Sequence, residues 1–144
     1  DALAEAGAKL LVATLPRLAA GDITPEPQDD SRASYAGMIR KQDGHIDFTK
    51  TPEEIERLIR GFSPWPGAFC EESGKVIKFW AAEPLDEKTD AAPGTVLEAD
   101  DAGLRLSCGG RVLLVTELQV PGKKRTRVSD YLRGNRMEKG TVLA

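Results

Sequence analysis

The residues of this chain with the greatest capacity for chemistry are cations. Gly122-Lys123-Lys124-Arg125-Thr126-Arg127 places four positive side chains within five positions. The nearest acids in sequence are Glu117 and Asp130, so local pairing cannot neutralise them all. Tyr131-Leu132-Arg133-Gly134-Asn135-Arg136 adds two more cations and an aromatic ring able to pack or stack. Phosphates are the natural partners of such a run. Each neutralised phosphate releases condensed counterions, and contacts of this kind hold a backbone without reading bases. From Pro121 to Ala144 seven Lys or Arg, Lys139 among them, face only Asp130 and Glu138, a surplus of five positive charges. The other 120 residues hold 13 cations and 21 acids, a balance of −8, so the whole chain carries −3. That asymmetry suits one surface that meets a polyanion while the rest keeps the protein soluble. A solvated basic tail gives the same count, and on charge alone both readings stay open.

Catalytic patterns are harder to find. No GxSxG elbow, HExxH pair or Walker A loop is present. His45 lies in a polar stretch between Asp43 and Asp47, where a general-base arrangement can be drawn, but a surface turn is the simpler reading. Cys70 and Cys108 form no CxxC pair, and one histidine with two cysteines cannot supply four zinc ligands. Both cysteines read as reduced core residues of a cytoplasmic protein, with a disulfide between them as the minority alternative. Trp65, between Pro64 and Pro66, reads as a packing plug in preference to a stacking platform.

These groups need a scaffold. A length of 144 residues with 40% hydrophobic and 30% charged content suits one globular domain with an appended helix or linker. No apolar run approaches the roughly 20 residues that cross a bilayer, so no membrane partner is expected. No signal peptide opens the chain. It begins at Asp1 inside a helical pattern, which reads as a cut or processed start. Residues 2 to 19 repeat leucine and alanine at spacings of three and four, with Gly21 as a stop and Pro16 predicting a kink or break near Thr14. Ile23 to Asp30, with two prolines and three acids, should run extended as a linker. Thr51, Pro52 and Glu54 spell a capping box before a helical stripe of Ile55, Leu58, Ile59 and Phe62. The prolines of Ser63-Pro64-Trp65-Pro66-Gly67 must end that helix.

Beyond Gly67 the period becomes two. Strands are expected at 68–71, 76–83, 94–99, 104–108 and 111–119, with turn signals at 72–75, 100–103 and 109–110. A short helix follows at 129–133, with Ser129 as its cap. The expected fold is mainly β: a small OB-like barrel of about five strands, preceded by helical and extended linker segments. Residues 1–30 form the helix and linker, and residues 31–144 the barrel domain. A cationic rim on such a barrel is a recurring way to hold nucleic acid.

Several runs resemble one family, the methionyl-tRNA formyltransferases. Ser34-Tyr35-Ala36, Arg40 to Phe48, and Arg60-Gly61-Phe62-Ser63-Pro64-Trp65-Pro66-Gly67-Ala68 resemble its carboxy-terminal domain. Gly122 to Arg125 and Asp130 to Gly134 are similar as well, although the family usually has Phe at position 131. Leu15-Pro16 and Gly21 to Gln28 resemble the last helix of its catalytic domain and the linker leaving it. The resemblance implies an OB-like carboxy-terminal domain whose basic face grips initiator methionyl-tRNA. It also implies an amino-terminal, Rossmann-like partner domain that binds 10-formyltetrahydrofolate and carries the Asn, His and Asp of formyl transfer. No position here matches those catalytic residues, so no catalytic residue and no cofactor is expected in this chain. Carried over by position, Lys41, Lys123, Lys124, Arg125, Arg127 and Arg133 are the expected tRNA phosphate contacts. Arg136 and Lys139 join them on charge and proximity. The alternatives are a structural barrel of another folate-dependent formyl enzyme, a free-standing oligonucleotide-binding module, and a purely structural interaction domain.

Overall fold

The computed structural model describes residues 2–144. They form two compact units, one reaching to Gly37 and the other spanning Met38–Ala144.

In the first unit, helix α1 (Ala2–Ala19) buries none of its residues. Leu3, Leu10, Leu11, Leu15 and Leu18 are all exposed. Of the kink or break expected near Thr14, the break does not occur: α1 runs through Pro16. Pro16 forfeits only its own N–H bond, and its carbonyl still accepts from Ala20 N at 3.0 Å. Gly21 ends the helix with φ +77°, a left-handed conformation that costs other residues a Cβ clash. Gly21 N then donates to Leu18 O and Asp22 N to Arg17 O, which satisfies two end carbonyls. The following chain is extended, apart from the 3-10 turn Asp30–Arg32.

The second unit opens with the 3-10 turn Lys41–Gly44, after which His45 forms a parallel bridge with Phe69 and Ile46 N donates to Phe69 O at 2.8 Å. Helix α2 (Pro52–Gly61) begins as its sequence dictates: Thr51 Oγ1 accepts from Glu54 N, and Glu54 accepts from Thr51 N at 2.9 Å. Ile55 and Ile59 are buried and Leu58 is half-buried, so one face of α2 joins the core.

The sheet contains β1 (Ala68–Glu72), β2 (Lys75–Lys88), β3 (Val96–Ala99), β4 (Leu104–Cys108), β5 (Arg111–Gln119) and β6 (Thr126–Arg127). Its order is β1-β2-β5-β4-β3, with β6 also on β5, and every pairing is antiparallel. Ile77 and Phe79 of β2, Leu104 and Leu106 of β4, and Val115 and Leu118 of β5 fill the core. Burying Phe79 alone stabilises the fold by about 1.5–3 kcal/mol. Register shifts after Phe79, Ala81 and Leu85 mark bulges that bend the long β2.

The mainly β expectation holds, but "barrel" describes it loosely, because the strand ladder does not close. Its edges are β1 and β3, and the last residues reach both. Val96 N donates to Thr141 O and Leu143 N to Gly94 O, while Glu71 and Ala144 exchange two bonds. Gly94 sits at φ +81°, and a Cβ there would run into the Leu143 carbonyl. Helix α3 (Val128–Leu132) starts one residue before the expected position. Val128 is driven into the core, so Arg127 and not Ser129 occupies the cap position, without a side-chain cap bond.

Candidate nucleic-acid interface

The cationic loop is built by the end of β5. A turn from Val120 O to Lys123 N reverses the chain, and Thr126–Arg127 returns as β6 against Leu118 and Glu117. Gln119 anchors the loop from beneath: its Nε2 donates to Lys123 O at 2.8 Å, and its Oε1 accepts from Trp80 Nε1 at 3.1 Å. The Trp80 ring has two cations near it, Lys78 Nζ at 5.9 Å and Arg125 Cζ at 5.6 Å from its centroid. Cation–π contacts of this kind contribute about 0.5–1 kcal/mol at exposed sites.

The expected contact residues are not equivalent in the structure. Among the described residues, Lys41, Lys123, Lys124, Arg127 and Lys139 form no ion pair. Arg125 pairs with Glu117, Arg133 with Asp130 at 3.2 Å, and Arg136 with Glu138 at 3.6 Å. Glu117 is also the backbone register partner of Arg127, but its carboxylate pairs with Arg125. Lys41 lines the same groove as Pro121 and Gly122. Lys139 lies instead in the turn preceding Gly140, whose N–H bonds to Val96 of β3. Tyr131 packs against the core, and burial raises its hydroxyl above the usual range.

Sequence reasoning missed Lys78, Trp80 and Gln119. The alternation of β2 was a usable signal for two of them, since Ile77 and Phe79 face inward and therefore Lys78 and Trp80 share the outer face. Their meeting with Gln119 depends on the β2–β5 register, which pairs Lys78 with Gln119. Trp65 corrects a further expectation. It is 62% exposed, because Pro66 and Gly67 take the buried positions, so it plugs nothing. His45 lies exposed at the end of its turn, edge-on to Phe69 with ring centroids 5.2 Å apart. Cys70 and Cys108 are free and buried. Among the described residues, no helix is long and apolar enough to cross a membrane.

Fold and site together define a small antiparallel β domain with a cationic loop at one end of its central strand. The chain belongs to the family "formyl transferase, C-terminal domain", whose pattern matches residues 38–136. Its relatives include the methionyl-tRNA formyltransferase of Bacillus velezensis, 44% identical over 99% of this chain and 45% of that protein. The enzyme of the same name from Desulfotalea psychrophila is 45% identical over 99% of this chain and 44% of its own length. The chain thus spans less than half the length of these relatives. A solved structure of HypX from Aquifex aeolicus in complex with tetrahydrofolic acid has the same fold, with a TM-score of 0.58. It is 19% identical, and the match covers 86% of this chain and 22% of that one.

Proposed function

We propose that this chain is the tRNA-gripping part of a methionyl-tRNA formyltransferase, an enzyme that moves a formyl group from 10-formyltetrahydrofolate to the methionine amine of initiator methionyl-tRNA. In this reading the chain binds tRNA and performs no chemistry. The folate co-substrate and the transfer itself belong to an amino-terminal catalytic domain of the same polypeptide, working in the cytoplasm.

The observation that carries the proposal is the cluster of unpaired cations at one end of the sheet: Lys123, Lys124 and Arg127 on the loop and its return strand. Lys41 flanks the same groove as the loop's first residues. Side chains already bound to carboxylates are costlier to recruit, so Arg125, Arg133 and Arg136 rank behind these four. Lys139, at the β3 side, is an outlying contact. Such contacts position a phosphate backbone and carry little base specificity.

The test is anisotropy of labelled initiator tRNA with this chain at two salt concentrations. A variant with Lys123, Lys124, Arg125 and Arg127 changed to Ala is compared with the parent. Binding that weakens steeply with salt, and weakens further in the variant, supports an electrostatic grip. Binding that is absent or indifferent to the four changes refutes it and leaves the domain a structural element of a formyl enzyme.

A further inference from the structure

Beside the cationic loop, the outer face of the sheet holds a groove of about 610 Å³. That lies within the roughly 300–1,000 Å³ typical of ligand pockets. Its apolar lining includes Phe69 from β1, Val76 from β2 and Val120 after β5, together with Pro66 and Pro121. The Phe69 ring is braced edge-on by His45, at an interplanar angle of 84°. Two basic residues, Lys41 and Lys78, line the groove with one acid, Glu71. Lys78 donates one bond to Pro66 O at 3.0 Å, which leaves two of its three donors free. Gln119, which also lines the groove, spends its Oε1 on Trp80 and one amide hydrogen on Lys123 O, which leaves a second amide hydrogen without a protein partner.

An apolar wall that includes an aromatic ring, a hydrogen-bonding edge and an excess of positive charge match one nucleotide better than a stretch of duplex. Bases in an A-form helix are stacked away and cannot enter a groove in a protein face, whereas an unpaired base can be splayed out and laid on an aromatic ring. The groove is also continuous with the phosphate-binding rim, since Pro121 and Gly122 line it and lead directly into Lys123. We propose that this groove takes a single unpaired nucleotide of a bound RNA, its base against Phe69 and Val76 and its phosphate at Lys41 and Lys78. The proposal rests on the RNA-binding reading above and extends it. The loop grips backbone without regard to structure, and the groove makes the domain prefer RNA with an unstacked nucleotide near the gripped phosphates.

Two RNA hairpins test this, identical in stem but one carrying a single-nucleotide bulge occupied by 2-aminopurine. Stacking on an aromatic side chain typically strengthens binding severalfold to a hundredfold, so the bulged hairpin should bind about tenfold more tightly than the paired one. Its 2-aminopurine emission should fall on binding to the unaltered chain. Phe69→Ala should bring the affinity ratio towards one. Phe69→Leu, which keeps an apolar side chain if Ala disturbs folding, should lose most of the ratio. Equal affinities with unchanged emission overturn the groove proposal and leave the phosphate grip standing. An absence of salt-sensitive binding to either hairpin overturns both.

Discussion

Glu117 restrains the interface, and removing its charge should strengthen RNA binding. Its carboxylate pairs with Arg125, and its backbone lies in register with that of Arg127. The side chains are 30% and 51% exposed for Glu117 and Arg125, so the pair sits at the surface and adds less than about 1 kcal/mol to stability. Glu117→Gln keeps the side chain's shape and releases Arg125 to meet a phosphate. One additional neutralised phosphate steepens the dependence of log K on log salt by about 0.9 for a duplex. Over a fourfold dilution, from about 200 to about 50 mM, that increment multiplies affinity by about 3.5. Anisotropy of labelled initiator tRNA across a salt series reads both quantities. Arg125→Ala completes a double-mutant cycle. It should cost little in the parent, where the carboxylate already engages Arg125, and more beside Glu117→Gln. An unchanged slope with equal or weaker affinity for Glu117→Gln would refute the reasoning and assign Arg125 a purely structural role over Trp80.

Other consequences concern the fold that holds this site. Burial raises the Cys70 thiol far above its ordinary range and pushes Cys108 up to about 12, so neither should react with iodoacetamide at mildly alkaline pH until urea unfolds the chain. Because the folded thiols keep protons that the unfolded ones lose from about pH 8.5 upward, stability should decline as pH rises past that point, as urea midpoints would record. Gly94→Ala combines a left-handed backbone with a clash at Leu143 O and should cost about 1–3 kcal/mol, measurable by urea denaturation. Thr51→Ala removes the capping box of α2 and should cost about 1 kcal/mol in the same assay.

Local structure was the part most legible in the residues. Thr51, Pro52 and Glu54 specify the start of α2 because the cap bonds join groups only three residues apart. The strand at Leu104–Cys108 and the two-glycine turn after it are likewise contained in a few adjacent positions. The cations of the loop are visible in one line of sequence, and so is their excess over nearby acids. Tertiary structure decided which of them are free. Arg125 meets Glu117 because the loop folds back on β5, and Lys41 comes to line one groove with Gly122, some 80 residues away in sequence. The open sheet, with its edges reached by the last five residues, and the exposure of Trp65 also escaped local reading. Each depends on hydrogen-bond register or on competition for buried space. Those are settled by pairings between distant segments, and no short window of residues contains both partners.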